Sequence, residues 1–417
     1  MVNQHRLETH LEVVHAFSTI EGVPGVNRLA FSDQDWRVRD FLMSRLESLG
    51  LPLKVDAFGN VIAHWQGSNG DAPTVLIGSH TDSVPRGGQF DGMAGILAAI
   101  EAVQSLQEDG FTPECSIDIV LFMCEESSRF GVATLGSHAM RGLLSAERLH
   151  ELTDSEGKSL YAVLKARGLD PDNVPNQKFT TPLKAFLELH IEQGAVLENA
   201  ECPLGIVTGI SAPSRFNLTI HGTAGHSGAT PMADRHDGLC AAAEIILATE
   251  AAAKAASDTP IVATIGSVNV LPGVMNVIPG EVTLGLDVRS IYNDAKQAVS
   301  AAILAKAEKI CQARDIPLTI NKLSEEKPLM ISQAMISAME TVANEEHFPY
   351  MTLPSGAGHD AMNWGDYTEV GMIFIPCRHG ISHNPDEEIN MDDLVLGTQY
   401  LEALLKKISH TDFVIEA

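Results

Sequence analysis

A short loop near residue 80 carries side chains that could bind a metal ion. The apolar run Thr74-Val-Leu-Ile77 predicts a buried strand, and Gly92 opens a predicted helix. His80 and Asp91 therefore lie on one loop beyond the carboxyl end of a strand, where α/β sheets normally hold their ligands. Asp82 is placed to accept a hydrogen bond from the second imidazole nitrogen of His80, as carboxylates do for metal-bound histidines. The loop is a candidate metal site.

Three further predicted strands deliver residues of the same chemical types. The strand at 116–124 leads directly into Glu125 and Glu126, which on an extended segment would point in opposite directions. His190 lies on another strand end, and the last strand leads to the loop of His383. Zn²⁺ and similar cations take such nitrogen and oxygen ligands, and the absence of cysteine favours a catalytic site. Two metals about 3.5–4 Å apart, bridged by one carboxylate, would use five ligands and leave room for a water.

The elements that position these residues alternate between strand and helix. Helices are predicted near 3–19 and 32–49, and the alternation predicts an α/β fold with a mostly parallel sheet. From about residue 215 to 322 the order changes to βαββαβ, a small α+β unit of ferredoxin-like type. The chain of 417 residues is also too long for one ordinary core. We predict a discontinuous catalytic domain, 1–211 and 328–417, with an inserted domain at 212–327.

Composition excludes several kinds of partner. The chain has 54 acidic and 28 basic residues, a net charge of −26. Nucleic acids and anionic membranes need a basic surface, so neither is an expected partner. An anionic substrate would need local arginines. The six cysteines form no Cys-x-x-Cys pair, and neither a signal segment nor a long apolar run is seen, so we expect a cytoplasmic protein.

Seven motifs together resemble one family. The chain is similar over nearly its whole length to the metal-dependent aminoacylase and carboxypeptidase superfamily, and within it to the N-carbamoyl-L-amino-acid amidohydrolase and allantoate amidohydrolase branch. Peptidase relatives typically have a carboxylate at the position of His190, which favours the ureido-hydrolysing branch. The motifs are Gly78-Ser-His-Thr-Asp82, Gln89-Phe-Asp-Gly92, Glu125-Glu-Ser-Ser-Arg-Phe130, Glu188-Leu-His-Ile-Glu-Gln-Gly194, Gly225-His-Ser-Gly228, Ser355-Gly-Ala-Gly-His-Asp360 and Ile381-Ser-His-Asn-Pro385.

The resemblance implies a role for each metal-site residue. Asp91 would bridge two divalent ions, zinc or else manganese, cobalt or nickel. His80 and His190 would complete one site, and Glu126 and His383 the other. The resemblance further implies that Glu125 is the general base. The reaction would be hydrolysis of a ureido group, R–NH–CO–NH₂, to an amine, ammonia and carbon dioxide.

The resemblance also implies how a small anionic ureido substrate is held. The inserted domain would be a lid and the surface of a homodimer. His226 would reach the partner subunit's active site and stabilise the oxyanion. Arg289 would clamp the substrate carboxylate. The other implied substrate contacts are Asn276, Gln193, Gly358, His359 and Arg215.

Several functions remain open at this point. N-carbamoyl-L-amino acids, N-carbamoyl-β-alanine, allantoate and ureidoglycolate all combine a ureido group with a carboxylate. An aminopeptidase or dipeptidase is a further alternative, disfavoured by His190. A catalytically inactive dimeric scaffold would have lost a ligand or the base, whereas here both are present. We favour hydrolysis of an N-carbamoyl-L-amino acid.

Overall fold

The computed structural model describes residues 1–256 and 259–415. Its helices in chain order are α1 (Gln4–Ser18), α2 (Asp33–Ser48), α3 (Met93–Glu108), α4 (Leu135–Met140), α5 (Ala146–Glu151), α6 (Leu160–Ala166), α7 (Val196–Asn199), α8 (Gly238–Ala255), α9 (Asn293–Ala313), α10 (Gln333–Glu345) and α11 (Met391–Ile408). Short 3₁₀ turns lie at Val174–Asn176, Met232–Asp234, Asp360–Trp364 and Arg378–Gly380.

The strands vary widely in length. They are β1 (Leu53–Val55), β2 (Val61–Trp65), β3 (Thr74–His80), β4 (Ile117–Phe122), β5 (Leu183–Ile191), β6 (Gly205–Ile210), β7 (Ala212–His221), β8 (Gly225–His226), β9 (Ile261–Leu271), β10 (Val277–Ile278), β11 (Glu281–Ser290), β12 (Leu318–Glu325), β13 (Leu329–Met330), β14 (Met351–Ser355) and β15 (Glu369–Ile375).

The chain divides into two compact units. The first comprises Met1–Thr208, Ile331–Leu353 and Gly358–Ala417, and the second comprises Gly209–Met330 and Pro354–Ala357. The predicted domains, with boundaries at 211/212 and 327/328, stay a prediction.

The first unit is built on a mixed sheet with a parallel centre. Its strands run in the order β1-β2-β4-β3-β5-β15, and β15 also pairs with β6. The four central strands, β4, β3, β5 and β15, are parallel, while β2 and β6 join them antiparallel. Every residue of β3 and β4 is buried, as expected for parallel strands covered on both faces. The predicted α/β fold with a mostly parallel sheet is confirmed.

Local signals explain where several of these elements begin and end. The Ser32 hydroxyl caps α2 by accepting the N–H of Asp35 at 3.2 Å, as the sequence predicts. The strand predicted to end at Cys124 ends instead at Phe122. Cys124 has a positive φ of 59°, which ends the extended backbone before the two glutamates. The assumption that Glu125 and Glu126 continue a strand was therefore wrong.

The second unit contains a four-stranded antiparallel sheet. Its strand order is β12-β7-β11-β9, and α8 and α9 pack against it. In chain order this is βαββαβ, with the first and third strands in the centre, which is the ferredoxin-like arrangement that the sequence predicts. The apolar core between sheet and helices includes Leu218, Ile220, Ile245, Leu284 and Ile303.

Two further features concern the cysteines and the helices. All six cysteines are free thiols, and Cys240 is exposed. Within residues 1–256 and 259–415, no helix combines the length and the apolar character needed to cross a membrane.

Candidate active site

The candidate site lies in the first unit, where β3 and β5 end. His80 is the last residue of β3, and its Nε2 lies 3.3 Å from Oδ1 of Asp91. His190 is the penultimate residue of β5, and its Nε2 lies 3.2 Å from the same oxygen. All three side chains are buried. One carboxylate oxygen therefore faces two imidazole nitrogens.

Main-chain carbonyls fix the orientation of both rings. Nδ1 of His80 lies 3.0 Å from the carbonyl oxygen of Asp82, and Nδ1 of His190 lies 2.9 Å from that of Ile191. With Nδ1 donating to a carbonyl, Nε2 of a neutral imidazole presents its lone pair to a cation.

The predicted hydrogen bond from His80 to the carboxylate of Asp82 is not present in the structure. The carboxylate Oδ1 of Asp82 is 3.7 Å from Nδ1 of His80, beyond hydrogen-bonding distance. The carboxylate instead accepts the N–H groups of Glu125 at 2.9 Å and Glu126 at 3.0 Å. Each N–H group occupies one carboxylate oxygen, and His80 contacts the carbonyl oxygen of Asp82. Asp82 thus links the loop after β3 to the loop after β4.

A second group of potential ligands surrounds the other oxygen of Asp91. Nε2 of His383 lies 3.1 Å from Asp91 Oδ2 and 3.2 Å from Glu126 Oε1. Burial alone would raise the pKa of Asp91, but hydrogen bonds to His190, His383 and His80 hold it well below its usual value. Asp91 is therefore an ionised carboxylate with a different set of partners at each oxygen.

The residues present fit a pair of divalent cations. His80, Asp91 and His190 can place one ligand atom each within 4.8 Å of one another, and so can Asp91, Glu126 and His383. Imidazole nitrogen and carboxylate oxygen suit Zn²⁺ and neighbouring first-row cations. The two groups share Asp91, as a bridging ligand requires.

Glu125 is a buried carboxyl group beside these ligands. Burial raises its pKa well above the usual value, and the charge of Glu126 adds to that shift, while His80 opposes it. A carboxyl group whose pKa is raised from its usual range can both accept and return a proton near neutral pH. Its position is consistent with the role of general base.

The remaining predicted residues of this unit lie close to the same ligands. The Nε2 amide of Gln193 donates to Asp91 Oδ2 at 2.7 Å. The ring centroid of His359 is 4.6 Å from that of His190, and Gly358 immediately precedes it. Burial, together with the charge of His190, lowers the pKa of His359 well below its usual value. His359 is therefore a neutral ring in this site.

In the second unit, two predicted arginines share one carboxylate. Nε of Arg215 lies 2.9 Å from Oδ2 of Asp287, and Nε of Arg289 lies 2.9 Å from Oδ1. Arg215 is the register partner of Asp287 across β7 and β11. Asp287 therefore fixes both guanidinium groups.

The other two predicted residues of the second unit are also neighbours. His226 of β8 pairs with Val277 of β10, and the carbonyl of Asn276 accepts the N–H of Ser227 at 3.1 Å. Nδ1 of His226 accepts the N–H groups of Gly228 and Ala229 at 3.1 and 3.2 Å. The neutral ring must then carry its proton on Nε2, which makes it a hydrogen-bond donor.

Sequence reasoning missed two buried carboxylates, those of Glu188 and Glu387. Glu188 accepts the hydroxyl of Ser79 at 2.7 Å and the N–H of Ala361 at 3.3 Å. Glu387 accepts the N–H of Phe90 at 2.8 Å and that of Asp91 at 3.1 Å. Both stand within or beside the quoted motifs. Their burial follows from tertiary contacts, which no local sequence signal reports.

The fold and the candidate site together define a metal-site hydrolase. The family model of peptidase family M20/M25/M40 matches residues 76–407. The chain belongs to this family and is a hydrolase of C–N bonds.

Individual relatives cover almost the entire chain. An N-carbamoyl-L-amino acid amidohydrolase of Geobacillus stearothermophilus is 42% identical over 379 residues, which is 90% of this chain and 92% of the relative. A ureidoglycolate hydrolase of rice, Oryza sativa subsp. japonica, is 33% identical over 98% of this chain and 85% of its own length. A crystal structure of a hydantoinase/carbamoylase family amidase from Burkholderia multivorans superimposes with a TM-score of 0.90 at 31% identity, covering 98% of each chain.

The site geometry predicts that Gly92→Ala will displace His80. A Cβ at residue 92 would lie 2.6 Å from Nε2 of His80, and φ there is +67°. We expect Gly92→Ala to bind divalent metal about 10- to 100-fold more weakly, the range seen when the support of a metal ligand is lost. Metal titration of the purified protein measures this.

Gly110→Ala is the matched control, because Gly110 has φ +72° and no atom within 4 Å of an added Cβ. If Gly110→Ala weakened metal binding as much as Gly92→Ala, backbone strain and not the contact with His80 would explain the loss of affinity.

Proposed function

We propose that this protein hydrolyses the ureido C–N bond of an N-carbamoyl-L-amino acid and releases the amino acid, ammonia and carbon dioxide. The observation that carries the proposal is that the two carboxylate oxygens of Asp91 have different partners. Its Oδ1 faces His80 and His190, and its Oδ2 faces His383, which in turn contacts Glu126. Glu125 is buried beside these ligands. The similarity to the Geobacillus carbamoylase supports the choice of substrate.

His80, Asp91 and His190 would hold one divalent cation, and Asp91, Glu126 and His383 the other. Zinc, manganese, cobalt and nickel all suit these ligands. When bound, the cations supply Lewis-acid polarisation of the ureido carbonyl and lower the pKa of water. The protein's own contribution is to hold the five side chains, fix the His80 and His190 rings, and exclude bulk water from the buried ligands.

Glu125 would move the proton. Its carboxylate takes a proton from the attacking water and returns it to the leaving nitrogen, so that the C–N bond can break. Its raised pKa keeps the protonated form accessible after the first transfer. The position of Glu125 is set through Asp82, which accepts its N–H.

Residues of the second unit would bind the charged carboxylate of the substrate. We propose that Arg289 clamps the substrate carboxylate, and that the further substrate contacts are Arg215, Asn276, Gln193, Gly358 and His359. The donor on Nε2 of His226 would stabilise the oxygen that becomes negative. These roles rest on the family resemblance.

We further propose that the protein is cytoplasmic and that it forms a homodimer through the second unit. Among the described strands, β9 is at the edge of its sheet and pairs with β11 alone. It exposes Val262 and Val268, while α8 exposes Leu247. An open apolar edge strand is a ready surface for pairing with another chain.

Ureidoglycolate or allantoate is the alternative substrate. The 33% identity to the rice ureidoglycolate hydrolase over 98% of this chain favours this second candidate. N-carbamoyl-β-alanine follows, and then a dipeptide or an acetyl amino acid, which the histidine at position 190 disfavours.

A substrate panel tests the proposed reaction. After reconstitution with Mn²⁺ or Zn²⁺, ammonia release is measured with N-carbamoyl-L-amino acids, N-carbamoyl-β-alanine, allantoate and ureidoglycolate. A free-amine assay is run in parallel with dipeptides and N-acetyl amino acids. We expect the fastest turnover with an N-carbamoyl-L-amino acid. Turnover of dipeptides or acetyl compounds alone would reject the ureido reaction.

Glu125→Gln should nearly abolish turnover, because an amide cannot accept the proton of water. We expect a loss of about 100-fold or more in kcat, the scale of general acid–base catalysis. Metal content should stay as in the wild type, since Glu125 lies outside both ligand groups. Glu156→Gln, at an exposed residue, is the control. A fully active Glu125→Gln enzyme would remove Glu125 as the base.

Subunit mixing tests the role of the proposed dimer. His226→Ala and Arg289→Ala should each be nearly inactive but folded. If one site takes His226 from one subunit and Arg289 from the other, random mixing should restore up to about a quarter of wild-type activity, since half of the dimers carry one intact site. No recovery in a mixture shown to exchange subunits would contradict shared sites.

A further inference from the structure

Glu387 connects the two loops that carry ligands of the second proposed metal. Its Oε1 accepts the N–H groups of Phe90 and Asp91, at 2.8 and 3.1 Å. Its Oε2 accepts the hydroxyl of Ser382 at 2.9 Å. Ser382 immediately precedes His383. One carboxylate thus holds the backbone at Asp91 and the residue next to His383.

Burial makes it energetically costly to keep a charged carboxylate at Glu387. The carboxyl group is buried. An ionised carboxylate is retained in such a place only where hydrogen bonds compensate it. The three donors come from the loop after β3 and the loop after β15. The hydrogen bonds that compensate the burial of the Glu387 carboxylate therefore also connect the two loops.

A turn from Asn384 to Glu387 helps to place the Glu387 side chain. The N–H of Glu387 donates to the carbonyl of Asn384 at 3.1 Å, closing a turn with Pro385 at its second position. Asn at the first and Pro at the second position are favoured in such turns. On the other side, Gly88 leaves room for the side chain, since a Cβ there would lie 2.2 Å from Cδ of Glu387.

Ser382 lies between Glu387 and the proposed metal ligand Asp91. Its hydroxyl lies 2.9 Å from Glu387 Oε2 and 3.2 Å from Asp91 Oδ2, but it has one proton to donate. If it donates to Glu387, one competing donor is removed from the Asp91 oxygen that also contacts His383 and the amide of Gln193.

We propose that Glu387 is a positioning residue that sets the distance between Asp91 and His383 and so determines the affinity of the metal held by Asp91, Glu126 and His383. This inference rests on the proposed metal pair. Both metals share Asp91, but the other metal depends less on Glu387, because its two histidines, His80 and His190, are held by β3 and β5 and by main-chain carbonyls.

Metal titration of metal-free protein with Mn²⁺ and Zn²⁺ separates the two sites. Wild type should take up two equivalents. In Glu387→Ala we expect one equivalent to bind about 10- to 100-fold more weakly, the range known for residues that support metal ligands. The titration should approach that of His383→Ala, in which one equivalent is lost. Glu387→Gln keeps an acceptor for the two N–H groups and should retain most of the affinity.

Glu388→Ala is the matched control, because the adjacent Glu388 is half-exposed and forms a surface ion pair with Arg378. It should titrate like wild type. Urea unfolding of each metal-free variant shows whether the fold is retained. If Glu387→Ala fails to fold, the same titration is made with Ser382→Ala. The proposal then requires that Ser382→Ala weaken binding of the metal held by Asp91, Glu126 and His383.

Three results have distinct meanings. Two unchanged equivalents in folded Glu387→Ala would overturn the role of Glu387 and leave the metal pair intact. Equal weakening of both equivalents, in step with lost stability, would reduce Glu387 to a general structural residue. Fewer than two equivalents in wild type would overturn the metal pair and this inference with it.

Discussion

The carboxylate of Asp91 is the constraint on which the site depends. Its Oδ1 faces Nε2 of His80 and His190, and its Oδ2 faces His383 and the amide of Gln193. These partners come from separate parts of the chain, and a buried carboxylate is stable only when all its sides are compensated. Each supporting strand and turn is therefore required to keep one side chain within about 3 Å of a shared group, the distance of a hydrogen bond.

The register of the parallel sheet satisfies the most demanding part of this constraint. Ile77 of β3 pairs with Leu187 of β5, and His80 and His190 each follow three residues later. The two rings consequently reach the same level, where their centroids are 5.7 Å apart and their planes differ by 28°. A slip of one residue would turn either ring to the other face of the sheet. Buried strands on both sides of β3 oppose such a slip.

Much of this arrangement could be predicted from the sequence. Buried apolar runs ending in His or Glu identify the strands, and the carboxyl ends of parallel strands share one edge, which brings His80 and His190 together. The βαββαβ order likewise predicts the sheet of the second unit. What could not be predicted depends on single atoms and single dihedral angles. The positive φ of Cys124 ends the strand before Glu125. The N–H groups of Glu125 and Glu126 occupy the carboxylate of Asp82, while its carbonyl oxygen contacts His80. Glu387 was missed because its burial results from a loop almost 300 residues away in sequence, at Phe90 and Asp91.

The central claim is that Asp91 bridges two cations. The most direct measurement is a crystal structure of the protein grown with Mn²⁺, with anomalous diffraction recorded at the manganese edge. The account predicts two anomalous peaks about 3.5–4 Å apart, the spacing of two-metal sites. One should lie on Asp91 Oδ1 with His80 and His190, and the other on Asp91 Oδ2 with Glu126 and His383. A single peak, or two peaks that do not share Asp91, would contradict it.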